Sequence, residues 1–225
     1  GGVDSSVAAM LLKEKGYEVE ALFMKNWSRQ MEDGKCLWED DVEDAMQVCD
    51  KLDISLNIVD LSEDYWEKVF KNFLTEYKIG RTPNPDVLCN KEIKFKAFLE
   101  YAENLGAKKI ATGHYSRKNK KENYFQLLKS IDNNKDQSYF LCCLNQSQLD
   151  KALFPIGDLC KDKVRKLAKK AGLITHDKKD STGICFVGEQ PFRNFLSRFI
   201  KPVKGLIKTT NGKSIGEHEG IFFYT

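Results

Sequence analysis

The opening stretch constrains the fold more than any other part of the chain. Gly1-Gly2-Val3-Asp4-Ser5-Ser6 runs directly into the apolar pattern Val7-Ala8-Ala9-Met10-Leu11-Leu12. Two glycines leave a turn open, and small hydroxyl residues follow where a helix starts. Such a turn gathers backbone N–H groups at a positive helix end, a ready site for phosphate. No Gly-Lys-Ser/Thr follows, so this is not a Walker loop, and the spacing is not that of a dinucleotide fingerprint. An ordinary capped helix, with Asp4 or Ser5 near the cap, accounts for these six residues equally well.

The residues that follow alternate between helical and strand patterns. A helix over 5–15 stops at Gly16. Residues 19–24 read as a mostly buried strand, 40–52 as an amphipathic helix with acids at its N-terminal end, 56–61 as a short strand, and 62–77 as a helix with Ser62 at its cap. This order predicts a doubly wound parallel sheet with its ligand at the carboxyl ends of the strands. Met24 lies at such an end, where it packs either on an adenine or in the core. The 225 residues suffice for one α/β domain and part of another, and the 41% apolar content supports a packed core.

The stretch from Gly80 to Asn90 is fixed in an extended form by Pro83 and Pro85. It places Asp86 near Cys89, and Asn90 is expected to cap a helix over 91–105. Cys89 then sits at a helix start beside Lys91 and Lys94, and both effects favour the thiolate. Asp86 opposes them but can move a proton. A strand over 108–111 delivers Thr112-Gly113-His114-Tyr115 to the ligand side of the sheet, where Gly113 lets backbone approach closely. Residues 117–121 read as a basic turn and 124–128 as a strand. Lys135-Asp136-Gln137 offers a cation, an acceptor and an amide together, suited to a polar ligand or simply to a hairpin turn.

Cys142 and Cys143 fall in an apolar run and are expected to be buried and inert. The helix over 161–170 has an inner face of Val164, Leu167 and Ala168 and a cationic outer face. With Lys178 and Lys179 it either tracks a phosphate backbone or is a solvated helix. Cys185, between Gly183 and Gly188, is a second candidate thiol. A composition shift near Gln190 separates residues 1–189 from 190–225, which hold a helix over 191–200 and small strands around the Asn211-Gly212 turn. The chain ends in what reads as a strand.

Net charge is only +3, too weak by itself to establish a nucleic-acid partner. No apolar run is long enough to span a bilayer. The seven cysteines are odd in number and irregularly spaced, which suits a reducing compartment and reactive thiols rather than a disulfide scaffold. No Cys or Cys/His spacing fits zinc or an iron–sulfur cluster.

The stretch from Gly1 to Ser6 resembles the pyrophosphate loop, usually Ser-Gly-Gly-x-Asp-Ser, of the PP-loop ATP pyrophosphatases. The resemblance implies a further Ser and a β-strand ahead of Gly1, and so an N-terminus clipped here. Phe23-Met24-Lys25-Asn26-Trp27, residues 84–95, Thr112 to Tyr115, and residues 135–141 and 181–188 extend the likeness, as does Gly216-Glu217-His218. In this order the set resembles the tRNA-specific 2-thiouridylases. That family has a Rossmann-like PP-loop domain with a parallel sheet flanked by helices, a small central domain and a C-terminal β-barrel. Residues 1–189 are then the PP-loop domain, 190–225 the start of the central domain, and the barrel is absent.

The resemblance also implies roles. Gly1, Gly2, Val3, Asp4, Ser5, Ser6, Met24 and Gly113 would bind ATP, with Mg²⁺ accompanying its phosphates. Asn84, Pro85 and Asp86 would meet the target base, and His114, Lys135, Asp136 and Gln137 would contact tRNA. Cys185 would carry a persulfide, Cys89 would be its partner nucleophile, and Asp86 would act as acid or base. The implied partners are tRNA and a sulfur donor, either a cysteine desulfurase or a relay protein, with no membrane. The implied location is the cytoplasm, or an organelle matrix in a eukaryote. Two other readings compete: a PP-loop adenylating enzyme acting on a small molecule, which needs no pair of reactive thiols, and a non-catalytic RNA-binding module.

Overall fold

Helix α1 (Val3–Glu14) begins two residues earlier than its apolar pattern suggests, because Gly2 is extended and serves as its N-cap. Its inner face carries Val3, Val7, Met10 and Leu12. It ends in a left-handed Gly16, with Gly16 N bonded to the Lys13 carbonyl and Tyr17 N to the Leu12 carbonyl, a closure that glycine allows at little steric cost. The computed structural model describes residues 2–27, 38–180 and 191–224.

Strand β1 (Ala21–Lys25) pairs in parallel with β2 (Leu56–Asp60), from Ala21 opposite Leu56 to Lys25 opposite Asp60. Helix α2 (Glu39–Leu52) precedes β2, with three acids in its first turn, where the helix dipole favours them. A second parallel pair joins β3 (Ile110–Ala111) to β6 (Ala152–Leu153). The α/β class and the parallel pairing agree with the sequence. Among the described residues, however, the parallel strands form two pairs rather than one ladder. A groove of about 650 Å³ separates them, with Ala21 and Leu22 on one wall and Ala111 and Leu153 on the other.

Between β3 and β6 lies the antiparallel pair β4 (Ser116–Lys121) and β5 (Tyr124–Lys129). Residues 117–121, read from sequence as a basic turn, are therefore a strand. Ladder bonds to an adjacent segment outweigh the low strand propensity of a Lys-rich run. The hairpin closes at Glu122, which takes a positive φ.

Two long helices are interrupted by wider turns. Helix α3, residues 62–78, is α-helical over Ser62–Tyr65, π-helical over Trp66–Phe70 and α-helical again over Lys71–Lys78. Its first turn is held by the Asp60 carboxylate, which accepts from Ser62 N and Ser62 Oγ; Leu61 occupies the cap position and Ser62 is the first helical residue rather than the cap. Helix α4, residues 85–104, is α-helical at Pro85–Leu88, π-helical over Cys89–Ala97 with a kink at Phe95, and α-helical over Phe98–Asn104. It starts six residues before the expected boundary. Asn84, not Asn90, is the cap, accepting from Asp86 N and Val87 N with Pro85 in the first turn, where the missing proline N–H costs nothing.

Helices α5 (Gln146–Lys151) and α6 (Lys161–Lys170) follow. Asn145 and Gln148 form a capping box on α5. The Gln148 amide also donates to the carbonyls of Lys91 and Phe95, the region where the kink in α4 disturbs its regular bonding. Helix α7 (Phe192–Ser197) and the hairpin β7 (Gly205–Lys208)–β8 (Ser214–His218) complete the described chain. Residues 221–223 form a short 3-10 turn rather than a strand.

Three apolar clusters hold these elements. The first joins Val59, Tyr65, Phe70 and Phe73 to Cys89 and Ile93, and takes in Phe195, Leu196, Ile200 and Phe222 from beyond residue 190. The second packs Val3, Val7 and Met10 of α1 on Tyr115, Val164 and Ala168. The third gathers Phe95, Leu99 and Ala102 around Ile110, Leu141 and Ala152. Helix α4 thus serves the first cluster with one half and the third with the other.

Candidate functional site

The first turn of α1 opens on a cavity of about 290 Å³ lined by Gly2, Val3, Asp4, Asp41, Tyr115, Lys135, Gln137, Lys161, Lys178, Lys179 and Asp180. Helix starts leave their first N–H groups without intrahelical partners, and the dipole makes that end positive. The chain returns to it beyond β3. Gly113 lies so close to α1 that a Cβ placed there would be 2.6 Å from Ser5 N and 2.7 Å from the Asp4 carbonyl carbon. The glycine at this position is demanded by space. Ser6 is turned inward, donating to the Gly2 carbonyl and accepting from Thr175 Oγ1, so its hydroxyl supports the turn from behind.

The cavity wall is a dense ionic network. Lys161 Nζ stands 2.8 Å from both oxygens of Asp4 and 2.7 Å from Asp180 Oδ1. Its side chain is only 10% exposed. Asp180 also receives Arg165 Nη2 at 2.9 Å on Oδ1 and Lys135 Nζ at 2.7 Å on Oδ2. Burial works against ionisation of Asp180, but its bonds to Lys135 and Lys161 prevail and hold its pKa at about 2. Tyr115 donates to Asp4 Oδ1 at 2.8 Å, and burial together with the Asp4 charge pushes its phenol strongly upward. Lys178 pairs with Asp41 and Asp44 of α2.

The Lys135-Asp136-Gln137 stretch is engaged in shaping this wall. Asp136 accepts from Ser130 N and from the Ser138 hydroxyl. Burial opposes its ionisation, yet these bonds lower its pKa. Gln137 exchanges two bonds with the backbone of Tyr115. Only Lys135 of the three sends its charge toward Asp180.

A second focus lies at the start of α4. Asp86 and Cys89 are three residues apart and so share a side of the helix. Burial raises the Asp86 pKa and Lys94 partly offsets it. Cys89 is 4% exposed within the first apolar cluster, a full turn inside α4 rather than at its start. The expected pull of a helix N-terminus on its thiol is correspondingly weaker. The Asn90 amide donates to the Asp86 carbonyl, and its Oδ1 is buried without a hydrogen-bond partner. Met24 packs at the edge of the same cluster.

His114 is buried, with Nδ1 2.7 Å from Thr112 Oγ1 and its ring packed beside those of Phe95 and Phe154, which also meet each other. Burial first, and the Lys94 charge second, push its pKa well down, so the imidazole is neutral near pH 7. Lys94 thereby acts on both Asp86 and His114.

The structure brings Gly2, Val3, Asp4, Lys135 and Gln137 together around one cavity. Asn84, Pro85, Asp86 and Cys89 stand together on α4. Gly1 and Cys185 lie outside the described residues. Lys161, Arg165 and Asp180 were missed by the sequence reading. Lys161 shares the phase of the buried Val164 and Ala168, and that periodicity is the signal that it turns inward. Cys142 and Cys143, expected to be buried, are exposed, with their sulfurs 3.9 Å apart. Among the described residues no group of three or more His, Cys, Asp or Glu is placed to hold a metal ion. No helix among them is long and apolar enough to cross a membrane.

The sequence profile described as the tRNA methyl transferase HUP domain matches residues 1–189. Similar proteins named tRNA-specific 2-thiouridylase MnmA include one from Colwellia psychrerythraea, 55% identical over all of this chain and 60% of its own length. Another from Hydrogenovibrio crunogenus is 58% identical over all of this chain and 60% of its own length. A third, from Proteus mirabilis, is 56% identical over all of this chain and 62% of its own length. The chain therefore spans about three fifths of the relatives it matches.

Proposed function

The chain belongs to the tRNA methyl transferase HUP domain family, and from that membership we propose that it forms the adenylating part of a tRNA-uridine 2-sulfurtransferase. The observation that carries this reading is the cavity at the start of α1, where the helix N–H end meets four lysines, Lys135, Lys161, Lys178 and Lys179, alongside Asp4, Asp41 and Asp180. It suits the phosphates of ATP. The relatives' name supplies the substrate class, a uridine in tRNA.

In this proposal the α1 N–H groups and Lys161 hold the phosphates, while Gly113 keeps the strand end against α1. Met24 borders the adenine side. Asn84, Pro85 and Asp86 receive the target base, and His114, Lys135, Asp136 and Gln137 lie toward the tRNA. Magnesium would be held chiefly by the phosphates, with the Asp4 or Asp180 carboxylate in support, and would supply neutralisation of charge on the leaving group.

The uridine O2 attacks the α-phosphorus of ATP and pyrophosphate leaves. C2, otherwise bonded to a poor leaving oxygen, now carries AMP. A donor protein, a cysteine desulfurase or relay protein, first loads Cys185 as a persulfide. Either the terminal sulfur attacks C2 directly and Cys89 then displaces it from Cys185, or Cys89 first frees hydrosulfide, which attacks C2. In both routes AMP departs with the former O2, a Cys89–Cys185 disulfide remains, and an external dithiol reduces it. The raised pKa of Asp86 suits it to hold or pass a proton.

The test uses the full-length protein with ATP, Mg²⁺, bulk tRNA and a persulfide source. Digested tRNA should contain 2-thiouridine, AMP should be released, and Cys89→Ser and Cys185→Ser should each abolish thiolation. Release of AMP without a thionucleoside would overturn the substrate assignment. Unimpaired thiolation by both variants would overturn the two-thiol chemistry.

A further inference from the structure

Cys142 and Cys143 are neighbours in sequence, both are exposed, and their sulfurs stand 3.9 Å apart. They follow a short 3-10 turn over Ser138–Leu141, and both flanks are anchored. Leu141 is buried in the third apolar cluster and Leu144 packs against that cluster, with Leu144 N bonded to the Leu141 carbonyl. Asn145 then caps α5. The two thiols are therefore presented on a fixed turn. Desolvation first, then the bond to Cys143 and the charge of that sulfur, push the Cys142 thiol up, so the pair gives up its two protons in separate steps.

The separation discriminates between two kinds of thiol chemistry. A disulfide brings its sulfurs to about 2.05 Å and holds its Cα atoms about 4.4–6.8 Å apart. The peptide between Cys142 and Cys143 is trans, and neighbours across a trans peptide are only about 3.8 Å apart. A sulfur–sulfur bond within the pair is strained for that reason. Two thiolates that each sit about 2.3 Å from one shared atom stand about 3.4–3.8 Å apart at ordinary bond angles, a span the pair reaches with a small turn of either side chain. Among the described residues no third His, Cys, Asp or Glu joins them, so the shared atom is one that two sulfurs satisfy. Thiolates select soft centres, and zinc, which takes four ligands, does not meet that condition.

We propose that Cys142 and Cys143 form a two-sulfur chelate for a thiophilic metalloid, the monosubstituted trivalent arsenicals being the class that fits. Such an oxide, R–As=O, keeps its carbon and takes two sulfurs. Both S–H protons leave with the oxide oxygen as water, two As–S bonds replace the As–O bond, and no atom changes oxidation state. The second As–S bond closes within one molecule, which makes the chelate about 100-fold or more tighter than the adduct of a single thiol. Neither cysteine has a part in the function proposed above, so this site stands independently of it.

The probe is phenylarsine oxide, added at one equivalent to the reduced full-length protein. Brief alkylation and peptide mass then read each thiol. Cys142 and Cys143 should be protected together while Cys160, exposed but alone, is labelled as before. Protection should survive an excess of a monothiol and be lost on adding a dithiol. Cys142→Ser and Cys143→Ser should each abolish the monothiol-resistant complex, lowering affinity about 100-fold or more, and Cys160→Ser should keep it. Zn²⁺ at the same concentration should protect neither sulfur. Undiminished alkylation of Cys142 and Cys143 in the wild type would overturn the proposal, a result that needs no variant. Monothiol-resistant protection persisting in either single variant would overturn it as well. Equal protection by Zn²⁺ would show a larger donor set and would also sink the two-sulfur reading.

Discussion

Gly113 offers a sharp test of how the strand end and α1 are held together. A methyl group at this position would lie 2.6 Å from Ser5 N, 2.7 Å from the Asp4 carbonyl carbon and 2.9 Å from Asp4 Cβ. Contacts between carbon and its neighbours settle near 3.5–4.0 Å, so all three atoms must retreat by about an ångström. Two of them are backbone, fixed by the first turn of a helix whose inner face is buried. No side chain can swing away to make room. Overpacking of this kind costs about 1–3 kcal/mol. For a chain of this size, Gly113→Ala should lower the melting temperature by roughly 2–12 °C. It should also weaken ATP binding, because relief comes from pushing the α1 N-terminus out of the cavity wall. Gly2→Ala is the matched control at the same helix end, since its Cβ meets nothing within 4 Å. It should lose only the cap preference, about 1 kcal/mol or less. Calorimetric melting of both variants reads the difference in stability, and ATP titration of Gly113→Ala reads the effect on the site. If Gly113→Ala melts within a degree of the wild type and binds ATP equally well, the steric argument is wrong.

Other outcomes follow from the same contacts. Gln148→Leu removes two donors to the Lys91 and Phe95 carbonyls and should destabilise the protein by about 1–3 kcal/mol in urea unfolding; a loss near zero would mean water replaces the amide. Asp180 has a folded pKa of about 2 against roughly 3.9 unfolded, so its contribution to stability is present above about pH 4 and lost as pH falls toward 2. The stability gap between wild type and Asp180→Asn should therefore close over that window, and a gap independent of pH would refute the ionic account. Cys142, Cys143 and Cys160 are exposed while Cys49 and Cys89 are buried, so brief alkylation of the native protein should label the first three and leave the other two until unfolding, as read by peptide mass.

The alternation of helix and strand was legible because its apolar periods are strong. Residues 161–170 were placed to the residue, and the Asn211-Gly212 hairpin turn carries its own signature, with Gly212 at a positive φ. What escaped depended on partners distant in sequence. Residues 117–121 look like a solvated turn until β5 is there to bond them. Asn84 and Asn90 are both plausible caps, and the choice falls to Asn84 because Pro85 follows it at the first helical position. The opening phosphate loop could be read locally, but the cations that complete its cavity come from positions 135, 161, 178 and 179. Lys161 was counted with its solvated neighbours although its phase placed it on the buried side. Its partners, Asp4 and Asp180, are 157 and 19 positions away, and no local pattern joins them.

The wide turn over Cys89–Ala97 has a further consequence, for chain length. A π-helical turn holds one more residue than the α-helical turn it interrupts, so every residue after it stands one position out of the phase a regular helix would give. In α4 that slip lets Cys89 and Ile93 face one core while Phe95, Leu99 and Ala102 face another. Deleting one residue between positions 90 and 94 would let the wide turn close as a regular one and leave the two halves facing their present cores, whereas deleting one from the regular turns over Phe98–Asn104 would swing whatever follows by about 100°. The wide turn is therefore where this helix has a residue to spare, and a single-residue deletion there should cost less than one in the regular turns after it.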